Sequence, residues 1–163
     1  MLKRALSLLF IISLLFSITS CGDEAEPPML SHCELRLPLP DGYTEVENDI
    51  YDAAVSNGLY MIALTRISFI AGMLGDGIPE TLTDIEFGEL YIEKCSRDEE
   101  VKRDSVAYAE YFDKSGAAEY YYVEAFYRSQ YAYFVILFVS PAELAGEAEG
   151  VFLELANKVY FTA

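Results

Sequence analysis

The sequence has one histidine, no tryptophan and few basic residues: 11 Lys and Arg stand against 27 Asp and Glu, for a formal net charge of −16. Nucleic-acid binding relies on basic side chains that neutralise phosphates, so DNA and RNA are excluded as expected partners. The single histidine, His32, leaves a serine or cysteine triad only one base, and zinc normally takes four ligands. We therefore expect no catalytic site, no resident metal and no cofactor.

The longest apolar run opens the chain. Lys3-Arg4 precede about 14 apolar residues, which is the anatomy of a secretory signal and is shorter than the roughly 20 residues of a membrane-spanning helix. Ile18-Thr19-Ser20-Cys21 resembles the lipobox of bacterial lipoproteins, which implies cleavage before Cys21 and acylation of its thiol. This resemblance predicts a signal peptide over residues 1–20 and a lipid-anchored protein that faces outside the cytoplasm. A plain signal peptide or an uncleaved anchor is the alternative.

Only two other cysteines, Cys33 and Cys95, are present. In an exported protein they can form a disulfide, which would close a long loop and contribute roughly 4 kcal/mol. The alternative is a pair of reduced thiols, with Cys33 at the start of a strand and Cys95 buried under a helix. The sequence leaves both possibilities open.

The mature chain divides into a short tether and one domain. Acidic and proline-containing residues follow Cys21 and have too little apolar content to fold, so residues 21–32 are predicted to be a lipidated tether. The domain is predicted over residues 33–163, beginning with a strand of alternating polarity. Asn57-Gly58 indicates a hairpin with a type I′ turn.

Two helices and a buried strand complete the expected fold. Thr83 and Glu86 match a capping box, and a face with Ile85, Gly88, Ile92 and Cys95 is expected to pack on a sheet. Ser140-Pro141 is a typical helix start, with serine as the N-cap. The uninterrupted apolar run from 131 to 139 predicts a central strand covered on both faces. We therefore predict an α+β fold in which an antiparallel sheet is flanked by helices.

This arrangement resembles the PsbP-like domain, which is also found in DcrB-type bacterial lipoproteins. The resemblance implies an α-β-α sandwich that binds or assembles with other proteins and has no common enzyme activity. The match covers about residues 33–161, and no functional residue can be transferred from it. It depends on Leu35-Arg36-Leu37-Pro38-Leu39-Pro40-Asp41-Gly42-Tyr43, on Ser56-Asn57-Gly58 and on the tyrosine-rich hairpin that leads to Val139-Ser140-Pro141.

Two segments are candidate partner surfaces. The chain has 13 tyrosines, several of them between 108 and 133, and exposed tyrosine gives amphipathic contact area. Ordinary half-buried sheet aromatics are the alternative explanation. We expect a non-enzymatic lipoprotein that binds a protein or an envelope component, or else one that binds a small ligand or a divalent cation. The predicted surface residues are Phe69, Ile70, Met73 and Leu74 of a glycine-rich loop, and Tyr121 of the hairpin.

Overall fold

A computed structural model describes residues 28–69 and 78–163 of the chain. Cys21 and the loop residues Ile70, Met73 and Leu74 lie outside the described residues. The elements are β1 (Met29–His32), β2 (Leu35–Pro38), β3 (Thr44–Glu45), β4 (Ala53–Ser56), β5 (Met61–Ser68), α1 (Asp84–Lys94), β6 (Lys102–Arg103), β7 (Ala107–Ser115), β8 (Ala118–Arg128), β9 (Ala132–Pro141), a 3-10 turn (Ala142–Leu144), α2 (Ala145–Ala156) and β10 (Tyr160–Phe161).

The strands form two antiparallel sheets. The larger sheet has the order β3-β4-β5-β9-β8-β7-β6, and a small sheet has the order β1-β2-β10. Strand β9 is central, as predicted, and its side chains alternate between two cores. Phe134, Ile136 and Phe138 face the core of α2 and the small sheet, whereas Tyr133 and Val135 face the core of α1. The expected α+β fold with helices on both faces of the sheet is confirmed.

Helix α1 begins at the predicted capping box. The Thr83 side chain accepts a hydrogen bond from the Glu86 backbone, and the Glu86 carboxylate accepts one from the Thr83 backbone. The predicted buried face needs one correction, because Phe87 is buried with Gly88 and Ile92, while Cys95 is exposed at the C-cap. Phe87 stacks on the Tyr133 ring at 4.3 Å between centroids, so an aromatic contact fixes the helix on the sheet.

The predicted N-cap of the last helix is wrong. Strand β9 continues through Pro141, the 3-10 turn follows, and α2 begins at Ala145 without a side-chain cap. Ser140 is instead a buried strand residue whose Oγ has no hydrogen-bond partner among the residues that the structure describes. The apolar stripe of α2 nevertheless packs as expected, with Ala148, Phe152 and Leu155 in the core.

The β4–β5 hairpin is present, but its turn differs from the predicted type I′. That turn needs positive φ at both central residues, and only Gly58 has it, at +85°. The Asn57 side chain accepts hydrogen bonds from the backbone N–H groups of Leu59 and Tyr60, so a longer loop joins Ser56 to Met61. The β7–β8 turn includes Gly116, with φ of +66°, and joins Ser115 to Ala118.

The small sheet was not expected from the sequence. Strand β1 lies inside the segment predicted as tether, so regular structure begins before residue 33. Leu30, Leu35 and Leu37 are buried against the α2 core, which explains why this polar-looking segment folds. Within residues 28–69 and 78–163, no helix is long and apolar enough to cross a membrane.

Candidate functional site

A cleft lined by tyrosines lies beside α1, on the same face of the large sheet. Strand pairing places Met61, Val139 and Tyr122 side by side on this face, beyond the part that α1 covers. We call the cavity there the tyrosine cleft; its volume is about 520 Å³, within the range of small-molecule sites. Its lining is Tyr51, Ser56, Gly58, Leu59, Tyr60, Met61, Ser115, Tyr120, Tyr122, Leu137, Val139, Ser140 and Pro141.

The floor of the cleft is ordered by aromatic stacking. The Tyr122 ring stacks on the Tyr111 ring with 4.9 Å between centroids and an interplanar angle of 8°. The centroid of the Tyr120 ring lies 6.4 Å from that of Tyr122. The guanidinium of Arg97 covers the Tyr111 ring at 4.5 Å from its centroid. These contacts limit the rotation of Tyr122, so one side of the cleft is rigid before any ligand arrives.

A buried ion pair stands behind this stack. Glu124 is on β8 and is 5 % exposed; it pairs with Arg97, which follows the end of α1, and accepts a hydrogen bond from the Tyr111 hydroxyl at 3.5 Å. Burial raises the pKa of Glu124, and the hydrogen bond and charge of Arg97 only partly oppose this. The pair connects α1 to the sheet beside the cleft, where an uncompensated carboxylate would be costly.

The cleft itself is neutral. Among the described residues that line it, none has a charged side chain. Burial raises the pKa of Tyr51 and of Tyr122, and nearby acidic groups raise both further, so these phenols keep their protons at neutral pH. The cleft therefore offers neutral hydroxyl groups and flat aromatic surfaces.

Two of the predicted surface residues are buried or half-buried: Tyr121 and Phe69. Tyr121 is 3 % exposed, and its hydroxyl donates to Glu110 Oε2 at 2.6 Å. Its ring belongs to the α2 core because β8 turns it away from Tyr120 and Tyr122. Phe69 packs against the α1 core, in an edge-to-face contact with Tyr133 with 5.0 Å between the ring centroids. Tyr121 therefore lies on the face of β8 opposite the tyrosine cleft.

The two cysteines of the described residues and the single histidine do not come together in a common site. Cys33 and Cys95 are free, exposed thiols. Cys33 lies in the β1–β2 turn, whose neighbours Leu30 and Leu35 pack in the α2 core, and Cys95 ends α1 on the opposite face. The large sheet between them prevents the close approach that a disulfide needs. His32 is in β1, and no group of three or more His, Cys, Asp or Glu side chains suited to a metal occurs among residues 28–69 and 78–163.

None of the residues that line the cleft was among the predicted surface residues, and Tyr51 and Tyr60 had the weakest sequence signal. Tyr51 and Tyr60 come from loops and are distant in sequence from the tyrosine-rich hairpin. The local signal for Tyr51 is Asn48, whose Oδ1 accepts from the backbone N–H of Tyr51 at 2.6 Å and shapes the turn before it. The Tyr60 ring is fixed by an edge contact with Phe152, 5.2 Å between centroids.

The fold is thus an α-β-α sandwich with a neutral cleft on one face. No protein-family model matches the chain, and comparison with curated proteins finds no match. A crystal structure from Bacteroides thetaiotaomicron is similar, with 13% identity, a TM-score of 0.53 and coverage of 85% of this chain. The chain spans about half of that structure, 49% of its length.

A second solved structure is the cyanobacterial PsbP (CyanoP) from Synechocystis. Its identity is 9% and its TM-score 0.46, with coverage of 90% of this chain and 99% of that chain. At these identities the comparisons concern the fold alone.

Proposed function

We propose that the chain is a lipid-anchored extracytoplasmic protein without enzymatic activity, and that its tyrosine cleft binds a hydroxyl-rich envelope component such as a neutral glycan. The observation that supports this is the uncharged lining of the cleft in a chain of net charge −16. A cation or a basic segment would be attracted to the acidic surface elsewhere, whereas a site without fixed charge suits a neutral ligand.

Sugar rings match this lining chemically. A pyranose has apolar C–H faces and a rim of hydroxyl groups. The rings of Tyr120 and Tyr122 supply flat apolar surface, and the tyrosine hydroxyl groups and Ser115 in the lining supply donors and acceptors. The Ser56 hydroxyl instead holds the β4–β5 loop, because it donates to the Tyr60 carbonyl and accepts from the Gly58 N–H. Stacking already holds Tyr122 in place, so little side-chain entropy remains to be lost on binding.

The anchor is proposed from the first 21 residues. Two or three acyl chains at Cys21 would hold the protein on a membrane where one chain binds only marginally. Metabolic labelling with a radioactive fatty acid tests this: the parent should be labelled, and Cys21→Ser should not. A Cys33→Ser variant is the matched control and should keep its label. An unlabelled parent would contradict lipidation without affecting the proposal for the cleft.

The cleft is tested by calorimetric titration of the purified full chain with neutral glycan fragments released from the envelope of the source organism. Tyr120→Ala should weaken binding about tenfold, because it removes one stacking surface. Tyr131→Ala is the control, since Tyr131 is 57 % exposed and lies outside the cleft. Equal binding by Tyr120→Ala and the parent would refute the site. Failure to bind glycans, with capture of a protein that Tyr120→Ala loses, would favour a protein partner.

A further inference from the structure

Strand β7 has a free edge. It spans Ala107–Ser115, but β6 pairs only with Ala107 and Tyr108. Among the described residues, no strand lies on the outer side of residues 109–115. Apart from the Lys114 N–H, which already donates to Asp113 Oδ1, the outward N–H and C=O groups there are available to another strand, and such edges are where proteins add strands from a partner.

The backbone groups that point outward can be identified. In an antiparallel ladder, successive residues bond alternately to one side and the other. The N–H of Lys114 donates to its neighbour Asp113 Oδ1 at 2.7 Å, so it points away from β8. By alternation the N–H and C=O groups of Glu110 and Phe112 point outward too. Tyr108 is two residues before Glu110, so its backbone groups point to the same side, where they pair with β6.

We propose that a second copy of this chain occupies this edge, with the two β7 strands antiparallel about a two-fold axis at Phe112. In that register Phe112 faces Phe112 of the second copy, and Glu110 faces Lys114 of the second copy. The two-fold axis repeats this charge pair on the other side of Phe112. Opposite charges directly across a ladder attract and like charges repel, so the edge is complementary to itself.

The exposed side chains fit the same register. Phe112 is 56 % exposed, an unusual exposure for a large aromatic ring on a strand, and its contact with the identical ring would remove apolar surface from water. Glu110 already has partners, since Lys102 and the Tyr121 hydroxyl hold its carboxylate in place on the strand. These hydrogen bonds outweigh burial and lower the pKa of Glu110, which keeps it charged. Charges on an edge strand normally prevent pairing; here they allow one alignment.

Two charge-reversal variants test the register. In the proposed register residue 110 faces residue 114 of the second copy, so Lys114→Glu places two glutamates opposite each other and Glu110→Lys places two lysines there. The dimer dissociation constant of each variant should therefore rise at least about tenfold. A mixture of the two variants restores both opposite-charge pairs and should dimerise like the parent. The measurement is sedimentation equilibrium of the full chain in density-matched detergent. Lys94→Glu, an exposed reversal at the end of α1, is the control and should not change association.

Each result decides the proposal. A dimeric parent with monomeric single variants and a dimeric mixture supports it. A monomeric parent, single variants as dimeric as the parent, or a mixture that stays monomeric would each overturn it. Thermal melting checks that the variants are folded. If Glu110→Lys fails to fold, Phe112→Glu replaces it, and retention of the dimer in that variant would also refute the interface.

Discussion

At the scale of single residues, Gly88 lies where α1 leaves no room for a side chain above the sheet. A Cβ at this position would lie 2.6 Å from Cδ2 of Phe126, which is fully buried. Gly88→Ala should therefore lower the free energy of unfolding by about 1–3 kcal/mol through overpacking, despite the better helix propensity of alanine. Urea denaturation at equilibrium measures this effect.

The matched control is Gly150→Ala on α2. Apart from the neighbouring backbone of α2 itself, no heavy atom of residues 28–69 and 78–163 lies within 4 Å of the Cβ that this substitution adds, so it should raise stability by about 0.5–1 kcal/mol. If both substitutions change stability in the same direction, the close packing of α1 on Phe126 is contradicted.

Ser140 shows how two interpretations of one residue differ in their energetics. As an N-cap, its replacement by alanine would cost about 1 kcal/mol. As a buried strand residue with an unpaired Oγ, Ser140→Ala removes a desolvated hydroxyl and should leave stability unchanged or slightly higher, within about 0.5 kcal/mol. Thermal and urea unfolding distinguish the two. A clear loss of stability would mean that the hydroxyl has a bonding partner in the folded protein.

The signal at Ser140 was ambiguous for a physical reason. Ser-Pro favours extended backbone before the proline, which suits a strand end as well as an N-cap. Pairing with β8 makes this segment a strand end, because β8 pairs with β9 as far as Tyr120, which lies opposite Pro141. That pairing lies in distant residues and could not be seen in the local pattern.

At the scale of elements, the capping box of α1 should make stability depend on pH. Hydrogen bonds from the Thr83 backbone N–H and then its hydroxyl lower the pKa of Glu86. A lowered pKa adds stability above the unfolded-state pKa, and this stability is lost as the pH falls through the folded-state pKa. Glu86→Gln should thus be less stable than the parent at pH 7, by an amount that shrinks in acid. Urea midpoints between pH 7 and pH 3 measure it.

Two variants complete this experiment. Thr83→Ala should cost about 1 kcal/mol at pH 7, because it removes the side-chain cap. Glu89→Gln is the matched control, because it removes an exposed carboxylate from the same helix outside the capping box. A constant difference for Glu86→Gln across the pH range would contradict the charged cap.

Elements were more predictable from the sequence than the cleft. The helices, the central strand and both long hairpins follow from local periodicity and turn residues. The tyrosine cleft does not, because Tyr51, Tyr60 and Tyr120 come from three separated segments that only the strand order brings together. The face of β8 was also undecidable locally, since Tyr121 and Tyr122 have the same residue type and opposite surroundings.

At the scale of the whole molecule, the charge of −16 should oppose folding at low ionic strength through self-repulsion. The thermal midpoint at pH 7 should therefore rise when sodium chloride screens the charges. The same addition near the isoelectric pH of about 4.2 should have little effect. Sucrose at matched osmolality is the uncharged control. A midpoint that falls with salt at pH 7 would mean that attractive ion pairs dominate the electrostatics.

The small sheet has a practical consequence for biosensor design. Strands β1 and β10 flank β2, about 10 Å apart, and Thr162 donates its N–H to the Glu34 carbonyl at 2.8 Å. This sheet packs on the α2 side, whereas the tyrosine cleft opens on the α1 side. A protein immobilised on a sensor chip through a tag after Ala163 therefore presents the cleft to the flowing solution, and it should report the same dissociation constant as the protein free in solution.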